Sequence, residues 1–313
     1  RTVMNYKSCH LGVIVQNAGG EGKSTVTEGI TALGTIAALS PCVLDADPGM
    51  RGFVNRSGHE GVIELGWDQT HGAGEDGATW CEKHFADHKV VLVDTGANFF
   101  SATHRVQSYL YGVMQAALEL GAKVTVYVVV GTNKAGSLNG AIDFHTRFSQ
   151  HVDVVLVRND RDGSAEFGKD TLSPTWSATL EIPHLPPALQ AYRLTRAEPL
   201  LGILRNPTPG YAMASAMIAQ WLLQLARTDY MRSIFGDVAE RELATLGATA
   251  PKALRYRLAN HHMVKDEALQ ANAAVSNAWQ AFRTSSPDAS GEAFAQAARE
   301  LWRAEKAMND MLA

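Results

Sequence analysis

Asn17-Ala18-Gly19-Gly20-Glu21-Gly22-Lys23-Ser24-Thr25 follows directly on the apolar run Leu11-Gly12-Val13-Ile14-Val15. A buried strand, a glycine-rich turn and a helix start make a place to hold phosphate. Gly19, Gly20 and Gly22 let successive backbone N–H groups turn toward a polyphosphate. Lys23 would reach the β- and γ-phosphates, and the Ser24 hydroxyl would hold Mg²⁺. The usual motif begins on glycine where this chain has Asn17.

Three further segments supply the remaining chemistry. Val43-Leu44-Asp45-Ala46-Asp47-Pro48-Gly49 puts two aspartates at the end of a second strand, where open α/β sheets build ligand sites. Val90-Val91-Leu92-Val93-Asp94-Thr95-Gly96 is a hydrophobic strand ending in a carboxylate, the Walker B pattern, which would anchor Mg²⁺. Val155-Leu156-Val157-Arg158-Asn159-Asp160 ends a later strand on an amide able to read an adenine edge. A strand-end aspartate alone often only caps the next helix. It is the ordered set behind the phosphate loop that points to ATP and Mg²⁺.

The set Gly-Gly-x-Gly-Lys-Ser-Thr, Asp-x-Asp-Pro and Asp-Thr-Gly resembles the ParA/MinD family of deviant Walker A ATPases, which position plasmids, chromosomes, division sites and protein cargoes. Ile182-Pro183, the helix with Arg193 and Arg196, and Pro199-Leu200 extend the resemblance over residues 10–228. The resemblance implies a homodimer that forms with ATP and parts after hydrolysis. It implies that Lys23 and Asp47 are catalytic, with Asp47 orienting the attacking water. Asp45, Asp94 and Ser24 would serve Mg²⁺, Thr25 would contact phosphate, and Asn159 would contact adenine; Glu21 lies within the nucleotide loop.

The chain departs from that family at Ala18, where the signature lysine would reach the partner's phosphates. A methyl group cannot neutralise developing phosphate charge. Three explanations stay open: a non-hydrolysing ATP-binding switch, another cation in place of the lysine, or a different dimer. For the second, Lys134 in Gly131-Thr132-Asn133-Lys134 follows a strand and so lies on the ligand edge of the sheet, with Lys169 and Arg51 as weaker candidates.

The elements that must position these residues are short β-branched runs alternating with helical patterns. Leu11–Val15, Cys42–Leu44, Val90–Val93, Val124–Val130, Val152–Val157 and Ala178–Ile182 read as strands, with Val62–Leu65 as a short one in the glycine-rich stretch 58–77. Helices are expected near 24–39, 103–120, 136–150, 187–197 and 210–227. This alternation predicts an α/β P-loop NTPase: a mostly parallel sheet flanked by helices over residues 1–228. From Asp229 the chain is alanine-rich without strand signal, which predicts a C-terminal all-helical appendage, 229–313, of three helices broken near Gly247–Pro251 and Ser285–Gly291.

At 313 residues with 46% hydrophobic and 19% charged residues, the composition is that of a globular protein, and a net charge of −4 argues against a uniformly basic nucleic-acid coat. Arg193, Arg196, Arg205, Arg255 and Arg257 could still make a local basic face for non-specific DNA, with Lys252 and Lys265 beside them. The amphipathic stretch Phe294–Leu312 lacks the cationic flank that a lipid surface favours, so packing on neighbouring helices is preferred to membrane docking. Cys9, Cys42 and Cys81 are too few and too scattered for a disulfide framework, which suggests a reducing, cytoplasmic setting, nucleoid-associated if DNA is the surface. Cys81, His84 and His88, with His71 upstream, have spacings that could hold Zn²⁺, but an amphipathic helix explains them as well. The resulting expectation is an ATP-dependent dimerisation switch with an activating partner protein. Its alternatives are a non-hydrolysing scaffold and an ATP-dependent biosynthetic enzyme of the related amidase or ligase branch.

Overall fold

The computed structural model describes residues 6–46, 63–64, 76–97, 99–101, 104–134, 136–167, 174–196, 198–208, 211–259, 277–281 and positions 296, 299, 300 and 303. It forms two compact units: residues 1–159 with 167–180, and residues 160–166 with 181–313.

The first unit is the α/β part. In chain order it contains β1 (His10–Val15), α1 (Lys23–Ile36), β2 (Cys42–Ala46), β3 (Ile63–Glu64), α2 (Gly77–Phe85), β4 (Val90–Thr95), α3 (His104–Glu119), β5 (Lys123–Gly131), α4 (Ser137–Phe148), β6 (Asp153–Asn159) and most of β7 (Ala178–Ile182). The sheet order is β3-β2-β4-β1-β5-β6-β7. β1 pairs in parallel with β4 on one side, to Ile14↔Asp94, and with β5 on the other, to Val15↔Val128. β2 pairs with β4 in a register that sets Asp45 beside Asp94, and β5 with β6 through Gly131↔Asn159. The connection after β1 leads toward β2, and the connection after β4 crosses to β5. The C-terminal end of β1 is therefore the switch point of the sheet, where such folds open a crevice for ligands.

Continuous apolar runs become strands here because both faces of the sheet are covered. Every residue of β1 and β4 is buried, and β5 is buried from Val124 onward. Phe100 packs edge-on against Phe99 and Phe144, with centroids 5.1 and 5.0 Å apart, an arrangement that adds about 0.5–1.5 kcal/mol per pair beyond burial. Helix α1 is buried nearly all round. Its buried Thr27 and Thr31 tolerate this because each donates its hydroxyl to the carbonyl four residues earlier (3.1 and 2.7 Å), and the exposed Thr35 makes the same bond at 2.9 Å.

The second unit contains α5 (Pro187–Thr195), α6 (Leu200–Arg205), α7 (Ala212–Ala226), α8 (Asp229–Phe235) and α9 (Val238–Ala259). It holds helices from both sides of residue 228, and α9 lies along α7. The expected break near Gly247–Pro251 is absent, since α9 runs unbroken through it. Gly247 instead faces α7, where a Cβ would meet the side-chain amide of Gln220. The break falls at Gly236, whose φ of 66° ends α8. The expected break at Ser285–Gly291, most of Phe294–Leu312 and Val62 and Leu65 lie outside the described residues.

Candidate functional site

The phosphate loop turns on two left-handed glycines, Gly20 (φ 75°) and Gly22 (φ 98°). At Gly22 the requirement is doubled, because a Cβ would also overlap the Asn159 amide nitrogen. Gly22 caps α1 without a side-chain bond, so the helix's first N–H groups, outside the intrahelical ladder, face the loop. Lys23 folds back over the loop and donates to the Gln16 carbonyl at 3.1 Å and the Ala18 carbonyl at 3.5 Å.

Two buried side chains brace this loop: Gln16, which no motif singles out, and Glu21, expected only as a member of the nucleotide loop. Gln16 donates to the carbonyls of Val129 (3.0 Å) and Ser137 (3.2 Å) while its Oε1 accepts from the Asn17 N–H at 2.8 Å. It thereby ties the end of β1 to β5 and α4. Glu21, with no exposed surface, accepts from the Gly131 N–H at 2.6 Å. Asn159 closes the ring by donating from Nδ2 to the Glu21 carbonyl at 2.8 Å.

On the other side, at the ends of β2 and β4, Ser24 Oγ donates to Asp94 Oδ2 at 2.9 Å. Burial pushes the Asp94 carboxyl up to about 7; Asp45 beside it pushes the same way, while Ser24, Lys23 and Thr27 pull it down. Asp94 Oδ1 is buried without a hydrogen-bond partner. Two neighbouring carboxylates and a hydroxyl, with one carboxylate oxygen unspent, are the hard-oxygen donors a small divalent cation selects. The residues thus fit Mg²⁺. Thr25 is half-buried in the first turn of α1. Asp47, Arg51 and Lys169 lie outside the described residues.

Lys134, just after β5, comes onto the phosphate loop of its own chain. Its Nζ donates to the Gly19 carbonyl and lies 3.7 Å from Glu21 Oε1. Two ammonium groups, Lys23 and Lys134, therefore sit on the carbonyls of one glycine-rich turn.

The other candidate constellations do not converge. The Cys81 thiol donates to the Val113 carbonyl, the buried His84 packs on the Trp80 ring with its pKa pushed down to about 4, and His88 Nδ1 meets the Ser40 carbonyl. His71 is outside the described residues, and among the described residues no three His, Cys, Asp or Glu could hold a metal. Of the basic-face residues, Arg193 is buried, Arg196 pairs with Glu198 and Thr208, and Arg205 pairs with Glu242 at 2.6 Å. The side chains of Lys252, Arg255 and Arg257, and the whole of Lys265, lie outside the described residues. No described helix is long and apolar enough to cross a membrane.

Among solved structures, the chain is similar to the MinC:MinD cell division protein complex of Aquifex aeolicus. That match is 20% identical with a TM-score of 0.43, covering 70% of this chain and 95% of that one. It is also similar to the MinD cell division protein of Aquifex aeolicus, at 18% identity and a TM-score of 0.39, covering 75% of this chain and 98% of that one. No family model and no curated protein matches the chain.

Proposed function

We propose that this chain is an ATP-dependent switch of the ParA/MinD kind. Mg-ATP bound at the loop after β1 pairs two copies, the pair engages a cargo or its surface, and hydrolysis resets the cycle. The observation that carries this reading is the Ser24–Asp94–Asp45 oxygen set, with an unspent buried carboxylate oxygen, facing a turn that already gathers two lysines.

Each residue has work to do in that reading. The loop N–H groups and Lys23 bind the β- and γ-phosphates, giving up the carbonyls that Lys23 now occupies. Ser24, Asp45 and Asp94 would hold Mg²⁺, which would supply positive charge to offset that of the phosphates. Thr25 adds a hydroxyl to the phosphates, and Asn159, already against the loop, turns its amide edge to adenine. Asp47 orients the attacking water by its place in the motif. Lys134 supplies the positive charge that Ala18 cannot, from the same chain as the loop it serves.

A partner protein that stimulates turnover fits this cycle better than a bare DNA surface, because Arg196 and Arg205 are occupied by carboxylates. Ala18 favours one second reading, a scaffold that binds ATP and does not turn it over.

The test is binding of a fluorescent ATP analogue with Mg²⁺, with sedimentation in ATP and in ADP. Lys23→Ala is expected to weaken binding by at least about tenfold, and ATP but not ADP to shift the native chain to a dimer. A chain that stays monomeric in saturating Mg-ATP overturns the switch. Binding and dimerisation without phosphate release, with or without DNA, leave the scaffold. Turnover only with an added small carboxylate would move the chain to the biosynthetic branch.

A further inference from the structure

We infer that Glu21 is a positioning residue: its buried carboxylate holds the Lys134 ammonium in reserve at the phosphate loop and yields it to the terminal phosphate of ATP. The inference rests on the reading of this loop as an ATP site, and it assigns a task to a side chain the phosphate motif leaves unspecified.

Glu21 occupies the variable position between Gly20 and Gly22, where a carboxylate is a costly choice. Its side chain has no exposed surface, so water does not solvate its charge. One oxygen, Oε2, is spent on the Gly131 N–H in a short charge-assisted bond of 2.6 Å. The other, Oε1, accepts no hydrogen bond, and the cation facing it is Lys134 at 3.7 Å. A neutral glutamine would serve the Gly131 N–H equally well. The second oxygen is explained by the lysine.

Lys134 is built to leave. Its side chain keeps 31% of its surface exposed, its second partner is a neutral loop carbonyl (Gly19), and its Nζ lies 3.8 Å from where a Gly20 Cβ would be, on the turn that wraps the phosphates. The pair thus joins a fixed anion to a movable cation at the mouth of an anion site. A polyphosphate arriving there competes with Glu21 for the same ammonium, and the extra charge of ATP over ADP competes better. Glu21 fixes where the ammonium waits and sets the threshold at which it transfers. Gly131, held to Glu21 through its N–H, keeps the Lys134 loop in reach during the exchange.

The experiment is a double-mutant cycle on the full chain, reading the affinity ratio for fluorescent ATP and ADP analogues in Mg²⁺. Glu21→Gln keeps an oxygen for the Gly131 N–H and removes only the charge. It is expected to raise the preference for ATP about three- to tenfold, with ADP affinity nearly unchanged. Lys134→Gln is expected to erase most of the preference. In that background, adding Glu21→Gln should change the ratio by less than about twofold, because the coupled partner is gone. A structural Glu21 would shift both nucleotides together or neither, and equal shifts overturn the inference. So does an unchanged ATP preference in folded Lys134→Gln, which remains decisive if Glu21→Gln does not fold. A native chain that binds neither nucleotide overturns the site reading and the inference with it; normal binding with an unmoved ratio overturns the inference alone.

Discussion

Two places, the loop around β1 in the first unit and the seams among α6–α9 in the second, treat charge in opposite ways. In the second, charged side chains on neighbouring helices answer one another: Glu240 takes Arg227 and Arg232 at 3.3 and 2.9 Å, and Glu242 takes Arg205 at 2.6 Å. In the first, around β1, charge is gathered and left only partly answered. Asp94 and Glu21 each keep a buried oxygen without a hydrogen bond, and Lys23 rests on backbone carbonyls. Charge matched to charge at a part-exposed helix seam contributes little to stability, typically about 0–1 kcal/mol. Buried charge without a match costs stability unless a ligand completes it. The contrast separates packing from chemistry better than the count of charged residues does.

The sharpest way to break this contrast is at Gly22. Gly22→Val forces a β-branched residue to φ 98° and drives its side chain into Asn159. The expected cost is roughly 4 kcal/mol of stability, read by chemical denaturation, together with loss of nucleotide binding. A variant of native stability that still binds ATP would mean the loop does not need this turn.

Next comes Asp94. Its carboxyl rises from 3.8 to about 7 on folding, so between those pH values the native protein holds a proton the unfolded chain has lost. Stability of the nucleotide-free protein should therefore fall as pH rises through that window, by up to about 1.4 kcal/mol per pH unit from this group. Asp94→Asn should flatten the slope in a melting series from pH 4 to 8. Mg-ATP affinity of the native chain should move the opposite way, rising as pH passes about 7 and the carboxylate becomes available. Parallel slopes for variant and native chain would remove Asp94 from the account.

The smallest effect is expected in the second unit. Glu242→Ala frees Arg205 (side chain 49% exposed) and should cost under about 1 kcal/mol, with ATP affinity unmoved. A large loss there would give the helical unit's ion pairs an importance that the contrast denies them.

Much of the frame was legible because the residues that set it act locally. Apolar runs with no alternation gave the central strands to within a residue or two, and glycine followed by Lys-Ser gave the turn and the start of α1. Helix α6 was missed because six residues are too few to show a period. Gly247 was misread as a break because what it faces lies on another helix, at Gln220. Gln16 and Glu21 were opaque on the same ground. Gln16 belongs to no motif and Glu21 reads only as a member of the nucleotide loop; contacts from 110 to 121 residues away along the chain reveal them as buried braces. The place of Lys134 after a strand was visible; that it lies on its own chain's loop, facing a buried carboxylate, was not.

The three cysteines carry a practical consequence. Cys9, Cys42 and Cys81 are all buried and unbridged, and burial raises every one of the thiols, Cys42 to about 11 and Cys81 to about 12. At neutral pH they offer almost no thiolate to an alkylating dye. The native chain is thus a silent background for labelling, and a cysteine introduced at exposed Asn17 would put one fluorophore at the mouth of the loop, where filling of the site could be watched directly.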